Sequence, residues 1–348
     1  MFKTRAGYIF SVLVAAVAAV FALAAIDPAY AAERKSIRWA TSTTGSYGYK
    51  VAAQMISILE EGLGGQYTVT VNPYPSTTSA MKATMNGEGE IGYTADVGMT
   101  QVYTGDGPFK DFNPAKSKLV HTWYAYPMES MMAVLASKAG PYKSWGDFSG
   151  KPVFFTPAGF MNWLNFQRIF KALGYGFKHV QISEAAQADA LQAGTIVGAV
   201  AYTTAGRSLP SYWRETELRI DIKLINPSPD EVKKLTAAGL APVEVDAMKA
   251  FSKDVGVKTA LGVPILFGYN VRADMPEEVV YKMVSTFYDK REALAKADPG
   301  FTPMARDFVG MQVNGINADT RIPVHSGLAK FLKEHKAWNE KWKIAGSK

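Results

Sequence analysis

Apolar and polar positions alternate over residues 36–40, the period of a strand with one buried face. Past a polar stretch, Val51, Ala52, Met55, Ile56, Ile58 and Leu59 recur at helical spacing, and Gly62 and Gly64 mark the helix end. Alternation returns over 67–71. Asn72-Pro73-Tyr74-Pro75 then leads into Ser76-Thr77-Thr78-Ser79, which opens a short helix over 80–85. Glycines follow, then an apolar strand over 91–95. The order β-α-β-α-β predicts a parallel sheet.

The second half follows the same order. Residues 151–155 read as a strand, and Thr156-Pro157-Ala158-Gly159-Phe160-Met161-Asn162 forms a polar corner. A helix with Trp163, Leu164, Phe166, Ile169, Phe170 and Leu173 on its apolar side closes at Gly174. A helix over 184–193 stops at Gly194, before a strand over 197–202. "MKATMNGEGEIGYT" (81–94) and "ADALQAGTIVGAVA" (188–201) align without a gap at Gly87 and Gly194, each as helix, glycine stop and buried strand. This repeat of architecture predicts two similar α/β lobes. Further on, a strand over 262–271 runs into Asp274-Met275-Pro276-Glu277-Glu278, a helix start with Asp274 as N-cap. Val279, Val280, Met283, Val284, Phe287 and Tyr288 give that helix one apolar face. A last helix is expected over 326–343. Long apolar strands near 132–137 and 263–271 look like crossovers, so lobe one is expected to combine 32–134 with 264–348, and lobe two to span 135–263.

The N-terminus changes the reading of the composition. Lys3 and Arg5 precede an apolar run from Ala6 to Ile26, Asp27-Pro28 breaks it, and Ala29-Tyr30-Ala31 matches the small-x-small signal of a cleaved export sequence. Residues 1–31 are therefore expected to be a signal peptide, and the protein to be exported to the periplasm, soluble and without a lipid anchor. The alternative is an uncleaved anchor, since about 20 apolar residues span a bilayer. The chain contains no cysteine, which excludes a disulfide framework in that oxidising compartment. What remains exceeds the size at which one core usually stops growing, consistent with two lobes. The formal charge of +7 falls by one unit when Lys3, Arg5 and Asp27 leave, and the basic residues are dispersed. That mild excess suits an acidic small solute or an anionic membrane surface, and not nucleic acid.

Familiar catalytic and cofactor signals are missing. "GEGEIG" (87–92) has the G-x-G-x-x-G spacing but follows a helix and opens a strand, the reverse of a dinucleotide fingerprint. His121, His179, His325 and His335 have no metal-ligand spacing, and there is no G-x-S-x-G elbow. Neither a metal, a cofactor nor an enzyme activity is expected. Three strand-to-helix corners, 41–49, 76–79 and 156–162, are instead rich in small donors. Ligands of open parallel sheets bind at such corners, where helix N-termini present free N–H groups. Gly45, Gly48 and Gly159 would let a ligand approach the backbone, and Thr44, Ser46, Ser76 and Thr78 would add directional hydrogen bonds. The competing assignment is that these hydroxyls are ordinary helix caps. Tyr47, Tyr124, Tyr126, Phe160, Trp163 and Tyr202 are candidates for apolar pocket walls. Arg207, beyond the strand ending Tyr202-Thr203-Thr204, could pair a carboxylate or lie on a surface loop. The expected ligand is a small carboxylate.

In the order and spacing of "TSTTGSYGYKVAAQMISIL", "SAMKATMNGEGEIGYTAD", "KPVFFTPAGFMNWLNFQRIF", "ALQAGTIVGAVAY", "NVRADMPEEVVYKMVSTFY" and "RIPVHSGLAKFLKEH", the chain resembles the solute-binding proteins of TRAP transporters, TAXI branch. The resemblance implies an α/β, two-lobed periplasmic-binding-protein-like fold of type II. Two mixed or parallel sheets flanked by helices would enclose a ligand cleft at the hinge. It implies a monomer that delivers an organic acid to TRAP membrane permease subunits, small and large, separate or fused, powered by an ion gradient, commonly sodium. On the matched positions, Thr44, Gly45, Ser46 and Tyr47, then Ser76, Thr77 and Thr78, then Ala158, Gly159, Phe160 and Asn162, would contact solute. Tyr126, Trp163, Tyr202, Thr203 and Arg207 complete the expected site. Ser46 and two tyrosines stand where the first corner usually has glycines, and Phe160, Met161 and Trp163 enlarge the third. These departures favour a bulkier or more apolar carboxylate than glutamate. A ligand sensor docked on a membrane receptor, or a periplasmic enzyme on the same fold, are the alternatives.

Overall fold

The computed structural model describes residues 34–346. Eleven strands form one hydrogen-bonded system: β1 (Lys35–Thr41), β2 (Tyr67–Pro73), β3 (Ile91–Ala95), β4 (Leu119–Val120), β5 (Tyr124–Leu135), β6 (Pro152–Phe154), β7 (Lys178–His179), β8 (Gly198–Thr204), β9 (Ile222–Ile225), β10 (Val243–Asp246) and β11 (Thr259–Arg272). The helices are α1 (Tyr47–Gly62), α2 (Thr77–Asn86), α3 (Asp96–Thr104), α4 (Met161–Leu173), α5 (Gln187–Ala193), α6 (Ser211–Arg219) and α7 (Pro229–Ala237). They continue with α8 (Ala247–Ala250), α9 (Glu277–Asp289), α10 (Arg291–Ala297), α11 (Thr302–Arg306), α12 (Phe308–Ala318) and α13 (Ser326–Glu334).

The main path runs β2-β1-β3-β11-β5-β8-β6-β7. β1 pairs parallel with β2 and β3, and β6 pairs parallel with β7 and β8, so each half carries the expected parallel βαβ units. β5 and β11 are antiparallel to each other and join the halves. The end of β11 pairs with β3, the start of β5 pairs with β11, and the rest of β5 pairs with β8 and β9. Every residue of β3 is buried, as expected for a strand covered by helices on both faces.

Local signals explain the element ends. Ser46 caps α1 by accepting from Tyr49 N at 3.1 Å, and Ser76 caps α2 by accepting from Ser79 N at 3.1 Å. Gly87 and Gly194, the two aligned stops, both take the left-handed C-cap conformation, at φ 87° and 79°. "GEGEIG" is thus a helix stop.

Several element boundaries differ from expectation; α2 already begins at Thr77 and β11 at Thr259. Asp274 is not an N-cap. α9 begins at Glu277 behind Pro276 with no side-chain cap, because Met275, preceding a proline, is disfavoured from the helical region, and Asp274 instead accepts from Arg272 Nε at 3.0 Å. The last helix ends at Glu334 and not near 343. Lys336 is left-handed, at φ 56°, and the chain turns back to bury Trp342 and pair Ile344 with Val324. The stretch 184–193 starts as a 3-10 turn at Glu184–Ala186 before α5. β5 begins at Tyr124 and gives way to a 3-10 turn at Ala136–Lys138, so the first crossover lies upstream of its expected place. The expected signal segment, 1–31, lies outside the described residues. Among the described residues no helix is long and apolar enough to cross a membrane.

Candidate ligand-binding site

At the end of β1 the chain turns through residues 42–46 into α1. Tyr47, in the first turn, points inward, and its hydroxyl donates to Asp298 Oδ1 at 2.7 Å. Lys50, one turn on and on the same face, donates to Asp298 Oδ2 at 3.1 Å, and Gly300 N donates to Oδ1 at 2.9 Å. Asp298 is buried, whereas the Lys50 side chain is 58% exposed. The Tyr47 ring stands edge-on against Tyr126, centroids 4.9 Å apart, and the Tyr126 hydroxyl donates to Tyr93 Oη at 3.0 Å. Burial and the adjacent Asp298 carboxylate push the Tyr47 phenol far above its usual range. Tyr47 therefore remains a neutral donor fixed from beneath.

A cavity of about 470 Å³ opens beside this group. Thr44, Gly45, Ser46, Tyr47 and Lys50 form one wall, and Ser208, Leu209, Pro210, Ser211 and Arg214 form the other. The N-termini of α1 and α6 both border it. α6 starts behind Pro210 without a side-chain cap, leaving first-turn N–H groups with no side-chain acceptor. Arg214 Nη1 reaches Glu217 Oε1 at 3.2 Å and is half exposed. Two positive helix ends and two cations, one per wall, make the cavity suited to an anion.

The second and third corners meet directly. Thr78 N and Oγ1 both donate to Gly159 O, at 3.1 and 2.7 Å. Gly159 sits at φ 90°, and a Cβ there would come 2.8 Å from Ser76 Oγ, so only glycine fits this junction. Thr77 is buried within it, and Ala158 is exposed with its N–H on Gln181 Oε1 at 3.0 Å. Phe160 is buried at the start of α4. Asn162 Oδ1 accepts from Ser130 Oγ at 2.7 Å, and Asn165 Nδ2 donates to Ser130 Oγ and to Val263 O, tying α4 to both β5 and β11. Trp163 is half-buried.

The expected residues at the end of β8 point to structural partners. The Tyr202 hydroxyl bonds to that of Tyr212, next to Glu184, whose carboxyl burial pushes up to about 7. Thr203 Oγ1 donates to Glu129 Oε2 at 2.6 Å, and Gly206 N donates to the same oxygen at 2.9 Å. Burial in this water-poor position likewise raises Glu129 to about 7. Arg207 is exposed and outside the cavity lining, so the arginine on that wall is Arg214.

Of the expected residues, then, Thr44, Gly45, Ser46 and Tyr47 line the cavity and Tyr126 supports it. Ser76, Thr77, Thr78 and Gly159 form the adjoining junction. Lys50, Ser208, Ser211 and Arg214 were not anticipated. Lys50 could have been found from its i+3 spacing to Tyr47, and Ser211 from the helix-start pattern Leu209-Pro210-Ser211. Among the described residues no group of three or more His, Asp or Glu side chains could hold a metal.

Known structures share this architecture. MatC from Rhodopseudomonas palustris, with bound malate, superposes with a TM-score of 0.53 at 12% identity, over 82% of this chain and 97% of that one. A periplasmic sulfonate-binding protein, SsuA, from Methylobacillus flagellatus gives 0.50 at 16% identity, over 90% and 98%. A structure described as a periplasmic transporter gives 0.50 at 13% identity, over 82% and 96%. The fold is thus the α/β periplasmic binding protein type II fold, with mixed sheets and flanking helices. Residues 39–335 match the NMT1-like family, and the chain belongs to it. No curated protein matches the sequence.

Proposed function

We propose that this protein is the periplasmic solute-binding component of a TRAP-type transporter of the TAXI branch, and that it captures a small carboxylate and delivers it to the membrane permease. The carrying observation is the cavity that places Lys50 and the α1 N-terminus on one wall and Arg214 and the α6 N-terminus on the other. The malate bound by MatC and the sulfonate in the name of SsuA are both anions, which supports an anionic ligand here. The two lobes are 32–134 with 264–348, and 135–263. Their borders fall within β5 and β11, the strands that bind both halves, and these act as the hinge. Closure brings the α6 wall onto the α1 wall and removes the carboxylate from water, which strengthens both cation contacts.

The test is native mass spectrometry of the protein as purified, to detect a retained solute, followed by thermal shift and calorimetry across organic acids and sulfonates. A solute at a hundredfold excess over its Kd stabilises the protein by about 2.7 kcal/mol. Lys50→Met and Arg214→Met are each expected to weaken the tightest carboxylate about tenfold, the range for a partly screened charged hydrogen bond. The proposal fails if no carboxylate shifts the transition, or if both variants bind as the wild type does.

A further inference from the structure

Arg214, the arginine of the cavity wall, is held by a buried carboxylate. Its Nη1 donates to Glu217 Oε1 at 3.2 Å, with the arginine side chain 44% exposed and that of Glu217 1% exposed. Ser252 N, beyond the end of α8, donates to the other oxygen, Glu217 Oε2, at 3.0 Å. Phe251, beside that amide, is buried, so the tether is anchored outside α6. Glu217 thus connects a fixed backbone amide to a guanidinium on the cavity wall.

Helix stability does not explain this pair. In α6 the cation stands toward the N-terminus and the carboxylate toward the C-terminus. The macrodipole favours the reverse order, so the pair gains little from its place in the helix. A carboxylate taken out of water is costly unless it is paired and hydrogen-bonded. Arg219, the next basic residue of α6, shows the ordinary arrangement, pairing with the exposed Asp189 of α5. Conflict between a local rule and the observed choice is characteristic of functional positions.

The opposite wall repeats the construction. The exposed Lys50 donates to the buried Asp298, which also accepts from a backbone amide, Gly300 N. Each cation lining the cavity therefore has a buried carboxylate, and each carboxylate is tied to a main-chain N–H. An arginine free in solvent samples many rotamers, and ordering it on binding weakens affinity. A guanidinium already held at one corner presents its planar fork to an anion at less cost.

We propose that Glu217 is a positioning residue for solute capture, a buried carboxylate that holds the Arg214 guanidinium at the cavity for an incoming anion. The inference rests on the carboxylate reading of that cavity and deepens it. Its sign is opposite to that of simple electrostatics. Removing an acidic group beside an anion site strengthens binding if charge alone matters. Removing one that orients the binding arginine weakens it.

The experiment uses the full exported chain, refolded from guanidinium to strip retained solute, with malate as the probe in calorimetry. Glu217→Met keeps an unbranched side chain that suits a buried helical position, but offers no oxygen. It is expected to weaken malate binding by about threefold to tenfold, the effect of having to order one long side chain. In the Arg214→Met background the same substitution should cause no further weakening, because Glu217 acts through Arg214. Crystal structures of the solute-free proteins should show the Arg214 guanidinium in place in wild type and displaced in Glu217→Met. Equal or tighter malate binding by Glu217→Met overturns the inference. So does equal weakening in both backgrounds, the mark of a damaged wall, and so does a guanidinium that keeps its place without Glu217. If no carboxylate binds but methanesulfonate does, with the same pattern across the variants, the carboxylate reading falls and this inference stands. If neither anion binds, both fall together.

Discussion

Truncating Asp298 to alanine removes an acceptor shared by three donors beneath the cleft. Tyr47 Oη and Gly300 N both donate to Oδ1, and Lys50 Nζ donates to Oδ2. The Lys50 end is exposed and screened, so its pair contributes about 0–1 kcal/mol. The phenol and the amide are buried, and each left unpaired costs about 1–3 kcal/mol. Asp298→Ala should therefore destabilise by roughly 2–6 kcal/mol, mostly through the two buried donors. Asp298→Asn separates these terms. With its amide oxygen in the Oδ1 position it still accepts from Tyr47 and Gly300, and loses only the screened pair, about 1 kcal/mol or less.

Urea denaturation followed by tryptophan fluorescence measures both variants against wild type, with the midpoint read at an unchanged slope. The order expected is wild type, then asparagine close behind, then alanine far below. Calorimetry on a bound carboxylate should follow the same order, because Tyr47 and Lys50 are part of the cavity wall. If the asparagine variant is as unstable as the alanine variant, the negative charge matters and not the oriented acceptor, and this reasoning is refuted.

Two further outcomes follow from groups behind the α6 wall and beside Asp298. Glu129 has an ordinary value of 4.5 and is raised by burial to about 7. The folded protein thus holds more protons than the unfolded chain between those values, and stability falls by about 3 kcal/mol as pH rises through that window. Glu129→Gln should flatten this slope. Glu184 titrates in the same direction, so the quantity to read is the wild-type-minus-variant difference from pH 4 to 8, and parallel curves would contradict the assignment. At Gly300 a Cβ would overlap the Tyr47 phenol and come 2.9 Å from Thr204 Cγ2. Gly300→Ala is expected to cost about 1–3 kcal/mol, as overpacking does, and to enlarge the radius of gyration in solution scattering, since Thr204 ends β8 and Tyr47 begins α1. An unchanged radius and melting temperature would show that the contact yields freely.

The features legible in the sequence were those fixed by neighbouring residues. Glycine stops at Gly87, Gly174 and Gly194 need only a left-handed residue after an apolar helix, and all three are C-caps. The corners were legible because a strand, a run of small donors and a helical period are each local. Asp274 shows the limit of that logic. It resembles a cap in the sequence, yet Pro276 moves the helix start two residues on, and the carboxylate pairs with Arg272. The stretch after Glu334 shows it again, because burial of Trp342 requires a turn that helical spacing of lysines conceals. The positive φ of Thr156, 85°, could not be foreseen, although the residue opens the expected corner 156–162. A threonine is a poor local choice for positive φ, and sites where local preference and observed conformation conflict are where function or strain is concentrated.

The same distinction reassigns the hydroxyls that drew attention to the first corner. Thr44, Gly45, Ser46 and Tyr47 were expected there to contact solute, with helix capping as the competing assignment. In the structure Thr41 Oγ1 bonds to Ser42 O, Ser46 caps its own helix, and Tyr47 reaches Asp298, 251 positions along the chain. The two tyrosines that set this corner apart therefore do not mark an enlarged ligand wall in equal measure: Tyr47 is a strut locked between Asp298 and Tyr126, with its hydroxyl committed to the Asp298 carboxylate. Once those commitments are subtracted, selectivity rests on a smaller set than the sequence suggested. Lys50 and Arg214 supply charge from opposite walls, and Ser208 and Ser211 lie at the α6 edge. A ligand that uses both walls must present an anionic group to Lys50 and Arg214 and accept hydrogen bonds at the α6 edge.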